Sequence, residues 1–479
     1  MILPNMSNKV NPSIFGPYDI RGIYPEDFNE EIAYKIGRAL VIFTAKKLNK
    51  SQRKLKIAVN RDCRLSSPYI FLSFSNGIRD EGANVIDIGL TPVDALYFSL
   101  NFLSLDAAAM VTASHNPPHY NGLKMLIRGN RFINNNFGMK TIKKMVINHK
   151  FVNKKTTGKI TKQNIIPTYL KYILSKTDIK TIKPLKVIID FGNGTAGKVI
   201  IPLANKLPIR LKTLYAKPDG HFPNHLPNPL EPQNTKDLRL AVNKEKADFG
   251  LAFDGDGDRT IFIDNKGKFV PSDFILLLLA KYLLSKKSKE KIVYNKASSS
   301  KIVEKKITAF GGFPCPCQTG HTFMKECMKK NKAILGGETS GHFYWKDMFY
   351  AECGGLTLIS VLNIISQNKK SLSCLIQEFR KYYKTPEINL KIKNKKEIIN
   401  QLEKKYNKAE KEYFDGLTIR FKDWWFNIRF SNTEPLLRLT IEAKTKKLML
   451  IKKKELLKFI KFFDVNGRGG IRTHTTLRS

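Results

Sequence analysis

Cysteine is scarce. Only Cys63, Cys315, Cys317, Cys327, Cys353 and Cys374 occur in 479 residues. Without a secretory signal before them, they read as reduced thiols in a cytoplasm. Cys315 and Cys317 form a C-P-C pair, but no second close pair stands at zinc spacing, so structural roles are expected for both. Long apolar runs are also missing. The nearest, SDFILLLLAKYLL at 272–284, contains Lys281 and is too short to cross a bilayer. It reads as a buried helix. The opening MILPNMSNKVNPS lacks a charged segment followed by an apolar one, so no signal peptide and no membrane partner are expected.

Acidic residues are outnumbered, 41 Asp and Glu against 83 Lys and Arg, for a formal charge of +42. Such an excess fits a nucleic-acid binder. Yet the lysines are spread along the chain, and no RNP signature, zinc-finger spacing or basic zipper gives them direction. We therefore expect no specific nucleic-acid partner. A positive field would still draw phosphorylated metabolites.

What is present describes a globular protein. Hydrophobic residues make up 42% and aromatics 10%, and the length calls for three or four domains. The first 150 residues alternate helices (EEIAYKIGRALVIFTAKKL, SPYIFLSFSNGIRDEG) with strands (LKIAVNRD, ANVIDIGL), the pattern of a parallel sheet with helical crossovers. The rhythm recurs through PLKVIIDFGNGTAG, ADFGLAFDGDGDR, KIVYNKASSS and KAILGGETSGH, each a strand delivering a polar loop. From about 385 the texture changes to short alternating strands, read as a smaller α+β domain. The fold class is α/β: three similar mixed α/β domains and a C-terminal α+β domain. The divisions fall at 1–160, 161–267, 268–383 and 384–465, with residues 466–479 expected to be a disordered tail.

Four loops carry chemistry. In the acidic loop, Asp254, Asp256 and Asp258 alternate with Gly255 and Gly257 and precede Arg259. Three carboxylates this close need a neutralising cation, and hard oxygen donors select Mg²⁺ or Ca²⁺. An EF-hand fails, because Arg259 and Asn265 stand where Gly and Glu are required. A haloacid-dehalogenase-type phosphatase fits only in part, because Asp258 occupies the fifth position. In VTASHNPPHYNGLKM, Ser114 follows a strand of small residues, with His115 adjacent and Lys124 ten residues on. A phosphoryl-transfer nucleophile needs a nearby proton donor or acceptor, and a lysine can serve. GGETSGH offers Glu338, Ser340 and His342, a carboxylate and a hydroxyl suited to vicinal sugar hydroxyls. RFSNTEPLLRL offers Arg429, Ser431, Asn432, Thr433 and Arg438 as an anion cradle without a metal.

TASHNP, DGDGDR, GGETSGH and RFSNTEP, in this order in one chain, resemble the α-D-phosphohexomutase family, most closely its phosphomannomutase/phosphoglucomutase branch. The resemblance runs from about residue 11 to 463. YDIRGIYP, HLPNPLEPQNTKDL and the TGH at 319–321 agree with it. The resemblance implies four domains around a central cleft and a phosphate carried on Ser114. It implies Mg²⁺ held by Asp254, Asp256, Asp258 and the Ser114 phosphate, with Arg259 beside it. Lys124 and His321 match acid/base positions. Arg21, Lys296, Glu338, Ser340 and His342 match the substrate side. Arg429, Ser431, Asn432, Thr433 and Arg438 match the grip on the phosphate already on the sugar. The implied reaction interconverts hexose 1-phosphate and hexose 6-phosphate, of mannose or glucose, with a hexose 1,6-bisphosphate as intermediate and activator. Phosphoglucosamine mutase and a Mg-dependent sugar phosphatase are the alternatives. The expected partners are small sugar phosphates, and monomer and homodimer both remain open.

Overall fold

The protein is described by a computed structural model covering residues 10–148, 150–152, 157–431 and 436–465. The chain divides into two compact units, Met1–Asn295 with Val303–Phe379, and Lys296–Ile302 with Arg380–Ser479. The expected tail at 466–479 lies outside the described residues.

Within the first unit, three sheets follow one another along the chain. The first is ordered Ile20–Ile23, Tyr120–Ile127, Ala107–Val111, Lys56–Arg61, Asn84–Leu90, Ile160–Lys162, with Arg131–Phe132 pairing off Tyr120–Ile127. The helix Glu30–Leu48 forms where the sequence signals it. The Asn29 side chain accepts from the Ile32 N–H, Glu30 and Glu31 occupy the first turn, and Lys46 and Lys47 the last. It ends at Asn49 in the left-handed region. It packs on Ser67–Asp80 with very little room. A Cβ at Gly37 would lie 2.3 Å from the Phe74 carbonyl oxygen, and one at Gly77 would lie 2.1 Å from that of Tyr34. Both positions therefore require glycine. Ile36, Leu40, Ile57, Val59 and Phe74 are sealed in the core beneath, each such burial being worth about 1.5–3 kcal/mol. The apolar run at 272–284 is indeed a buried helix, Ser272–Lys286, with Leu276, Leu277, Leu278, Leu279 and Leu284 buried.

The sheets are mixed, not parallel throughout as the strand–helix alternation suggested for the first. The three share one device. A strand runs parallel to an earlier one, then turns back through a loop into an antiparallel neighbour. Ala107–Val111 lies parallel to Lys56–Arg61 and antiparallel to Tyr120–Ile127. Phe249–Phe253 lies parallel to Lys186–Asp190 and antiparallel to Thr260–Asp264. Leu335–Gly337 lies parallel to Lys291–Asn295 and antiparallel to Phe343–Trp345. The three turning loops are those of Ser114, of the aspartates and of Glu338. Among the described residues, no helix is long and apolar enough to cross a membrane.

The second unit is a wholly antiparallel sheet, ordered Tyr383–Lys384, Leu437–Ala443, Trp424–Phe430, Leu417–Arg420, Glu410–Glu412, with Ile388–Leu390 also on Leu437–Ala443. The helices Lys395–Lys405 and Lys446–Val465 close its core through Ile398, Leu402, Leu456 and Ile460. This is the expected α+β texture.

Candidate active site

The serine loop is held by a buried cation. Arg64 Nη2 donates to the carbonyls of Ser114 (2.8 Å) and Asn116 (2.7 Å), and Nη1 to those of Pro117 (2.5 Å) and Tyr120 (3.0 Å). Asp62 accepts from Arg64 Nε at 3.0 Å and from the Ser67 hydroxyl at 2.5 Å. Arg21 grips the loop from another side, through the Ala113 carbonyl and the Asn116 side chain, while Asp19 orients it. Under this clamp Ser114 adopts φ +50, a backbone uncommon for a residue with a Cβ. Its N–H donates to Thr112 Oγ1 and its hydroxyl donates to Asp254 Oδ2, both at 2.8 Å. His115 Nδ1 is 3.2 Å from the same hydroxyl.

The acidic loop meets it. Asp254, Asp256 and Asp258 are all buried, and each offers a carboxylate oxygen within 4.8 Å of the others. The expected neutralising cation is supplied in part by the chain itself. Lys124 Nζ lies 2.6 Å from both Asp256 Oδ2 and Asp258 Oδ2. Burial pushes the Lys124 ammonium down, but Asp256 and Asp258 outweigh it and hold its pKa above the usual lysine range. Burial, then Asp258 and Asp256, push the Asp254 carboxyl up to about 8. Burial acts the same way on Asp258, yet Lys124 and His342 overcome it and keep that carboxylate well below its ordinary value. The Arg259 backbone N–H donates to Asp254 Oδ1 at 3.1 Å, and its guanidinium approaches Asn228 and His115 at 3.5 Å.

The third loop joins the second through an antiparallel bridge between Arg259 and His342. His342 Nε2 is 3.1 Å from Asp258 Oδ1, and its Nδ1 is 2.7 Å from the Ser340 hydroxyl. After burial, Asp258 and Glu338 dominate and raise the His342 pKa to about 9. Glu338 is itself engaged, accepting from the Gly320 N–H at 2.9 Å and from the Tyr344 hydroxyl. His321 opens the helix His321–Asn331 directly after Gly320, with its ring edge-on to Tyr18.

Ser114, Lys124, Arg21, Asp254, Asp256, Asp258, Arg259, Glu338, Ser340, His342 and His321 are thus all in the first unit, linked by the contacts above. Lys296 belongs to the second unit, where it pairs with Glu412 and sits over the Phe414 ring. Arg429 and Arg438 are cross-strand partners in the same unit, and one carboxylate joins them: Glu387 accepts from Arg429 at 2.5 Å and from Arg438 at 2.9 Å. Ser431 follows Arg429 at the strand end, and Asn432 and Thr433 lie outside the described residues. Motif reading missed Arg64, Asp62, Lys325 and Glu387. Arg64, in D-C-R-L-S-S-P, is visible only as a charge after a strand.

The donor set fits a hard divalent cation. It is all oxygen, it is sealed from water, and Asp256 Oδ1 is buried with no hydrogen-bond partner.

Repeated α/β domains that turn a serine loop, an acidic loop and a Glu-His loop back beside one another, followed by a smaller antiparallel domain, define an α-D-phosphohexomutase scaffold. Four family models match in order: phosphoglucomutase/phosphomannomutase α/β/α domain I at 12–153, domain II at 167–267, domain III at 271–383 and the C-terminal domain at 387–456. A phosphomannomutase of Vibrio cholerae is 38% identical over 461 residues, covering 94% of this chain and 99% of its own. A phosphomannomutase of Escherichia coli K12 is 36% identical over 440 residues, covering 90% and 94%. A phosphoglucomutase/phosphomannomutase family protein of Burkholderia thailandensis superposes with TM-score 0.85 at 30% identity, covering 96% of this chain and 99% of its own. The chain belongs to the phosphoglucomutase/phosphomannomutase family.

Proposed function

We propose that the protein interconverts hexose 1-phosphate and hexose 6-phosphate, of mannose or glucose, through a phosphoserine at Ser114. The observation that carries this reading is the Ser114 hydroxyl bonded directly into a buried carboxylate cluster. In this reading the working domains are 1–160, 161–267, 268–383 and 384–465. Asp254, Asp256 and Asp258, with the Ser114 side chain, would hold Mg²⁺, which when bound neutralises charge on the transferring phosphoryl group. Arg21 and Arg64 keep the serine loop aligned, and alignment is most of what phosphoryl transfer asks of a protein.

In the first half-reaction the P–Oγ bond at Ser114 breaks and a P–O bond to the free sugar hydroxyl forms, giving hexose 1,6-bisphosphate. The sugar hydroxyl proton passes, through a basic group beside Ser114, to the Oγ released there, and it returns by the same route in the second half. In the second half the sugar presents its other phosphate, Ser114 takes it back, and the alkoxide left on the sugar regains a proton. Lys124 and His321 supply the polar hydrogens around the transferring group. Glu338 and Ser340, with His342 orienting them, meet sugar hydroxyls, and Lys296 contributes on the substrate side. Arg429, Ser431, Asn432, Thr433 and Arg438 carry the phosphate already on the sugar. We assign the enzyme to the cytoplasm, in keeping with six cysteines of which none forms a disulfide.

The test is a coupled assay on mannose 1-phosphate and glucose 1-phosphate with Mg²⁺ and a trace of glucose 1,6-bisphosphate. Hexose 6-phosphate should appear, and excess chelator should suppress it. Release of inorganic phosphate in place of hexose 6-phosphate would replace the mutase with a phosphatase. Full activity in chelator would remove the metal.

A further inference from the structure

Behind the site stands a buried cation that the reaction above does not use. Lys325 is 3% exposed, and an ammonium tolerates such burial only when paired and hydrogen-bonded. Its ammonium pairs with Glu352 Oε2 at 2.9 Å and lies within hydrogen-bond reach of His321 Nδ1 at 3.1 Å and the Tyr97 hydroxyl at 3.4 Å. The rings of Phe132 and Tyr97 cover it at 4.0 and 4.6 Å. The helix that begins at His321 places residues 321 and 325 one turn apart on the same face.

The direction of the contact with His321 is fixed by chemistry. Burial lowers the Lys325 pKa while Glu352 raises it; held as an ammonium by that pair, Lys325 has donors and no acceptor and donates into a lone pair on Nδ1. An imidazole with a bare Nδ1 carries its hydrogen on Nε2. Among the described residues nothing bonds to Nε2, and the residue is partly exposed. A second proton on Nδ1 would face the ammonium directly. Burial, then Lys325 and Lys124, hold the His321 pKa well below its ordinary value, with His342 adding to them and Asp258 opposing.

We propose that Lys325 is a positioning residue that locks His321 as the neutral Nε2–H tautomer, so that His321 offers the sugar phosphate a hydrogen-bond donor and moves no proton itself. The proposal rests on reading His321 as facing substrate. It follows from the tautomer alone: a protonated Nε2 has no lone pair with which to act as a base, and to act as an acid it would have to leave an imidazolate. Proton transfer then falls to another group.

The test reads the tautomer directly, by long-range ¹H–¹⁵N correlation of histidine-labelled full-length protein, with the His321 signals assigned by their loss in His321→Gln. Nε2 should show the protonated-type shift and Nδ1 the unprotonated type, unchanged from pH 5 to 9. In Lys325→Met both tautomers should appear and the ring should titrate at a higher pH than in the wild type, still below the ordinary value because burial and Lys124 remain. A wild-type ring protonated on Nδ1, or titrating between pH 5 and 8, overturns the proposal, and this measurement stands even if Lys325→Met does not fold. Kinetics with mannose 1-phosphate add a second arm. His321→Gln retains an N–H donor, so its turnover should fall by less than about tenfold, against the roughly 10²–10⁴-fold expected when acid–base catalysis is lost. His321→Ala should fall further, and equal losses in the two variants would overturn the donor role. Full turnover of His321→Ala would sink only the substrate-facing reading, because the spectrum still decides the tautomer.

Discussion

The Ser114 hydroxyl donates to the Asp254 carboxylate at 2.8 Å although 140 positions separate the two residues. Two loops from different sheets create this contact, each turning between a parallel strand and its antiparallel neighbour. If Ser114 carries the phosphoryl group, Ser114→Ala removes the oxygen that accepts it. Turnover of hexose 1-phosphate should fall by on the order of 10⁴-fold or more. The fold should survive, because a single hydrogen bond is worth about 1 kcal/mol and alanine, like serine, carries one Cβ at φ +50. Thermal melting checks the second half. Near-native turnover would end the phosphoserine reading.

Arg64 makes a different prediction, because it bonds to backbone and Asp62 and lies over the Phe222 ring, away from any reacting atom. Its side chain is completely buried and that of Asp62 nearly so. Arg64→Met would strip four carbonyls of a donor and leave Asp62 buried without its cation. Breaking a buried pair in this way costs about 3–5 kcal/mol. The denaturation midpoint should drop accordingly, and turnover should drop in whatever folded protein remains, since Ser114 loses its clamp. A variant with wild-type midpoint and wild-type turnover would show that the serine loop holds itself.

Legibility in the sequence divided along a physical line. Helices with local signals were readable: Asn29, the two glutamates and the terminal lysines mark Glu30–Leu48 without reference to anything distant. The loops were readable because Gly and Asp at fixed spacing have few other uses. Strand direction was not, because Ile20–Ile23 pairs antiparallel with Tyr120–Ile127 across a hundred residues. The partners of buried charges were equally hidden. Lys325 is one lysine among many until Glu352 and the rings of Phe132 and Tyr97 close on it, and Glu387 is an isolated glutamate until the register of Arg429 and Arg438 brings both to it. Motifs pointed to the groups proposed to react, and tertiary contacts disclosed which groups hold them in place.

Asp94 gives the fold a pH dependence that can be checked apart from catalysis. It is buried near Tyr169, and its Oδ1 has no partner. Burial pushes its carboxyl up to about 7 from the ordinary 3.8, against smaller pulls from Tyr169 and the backbone N–H groups of Ala95 and Gly354. The folded state therefore keeps a proton that the unfolded chain releases near pH 4. Stability is fullest below that point, falls as pH rises through the interval up to about 7, and then levels off. The total is on the order of 4 kcal/mol. Asp94→Asn removes the titrating group, so its melting temperature should gain on wild type between pH 5 and 8. A constant difference across that range would show that Asp94 is ionised in the fold.

Arg429 and Arg438 face each other across two strands and share Glu387. A pair of guanidiniums joined by one carboxylate keeps a net positive charge and fixed planes, which suits a phosphate that must be gripped in both orientations of the sugar. In this reading such a grip holds the phosphate that does not react. It is made alike in ground state and transition state, so its loss should appear in KM and not in kcat. Arg429→Ala removes a charge-assisted contact of about 1.5–3 kcal/mol, which corresponds to a rise in KM for mannose 1-phosphate of roughly 10- to 150-fold. The neighbouring Glu387 keeps Arg438 as partner, so stability should change little. If KM were unchanged and kcat fell steeply, Arg429 would belong beside the transferring group, and the division between a reacting phosphate at Ser114 and a held phosphate at these arginines would fail.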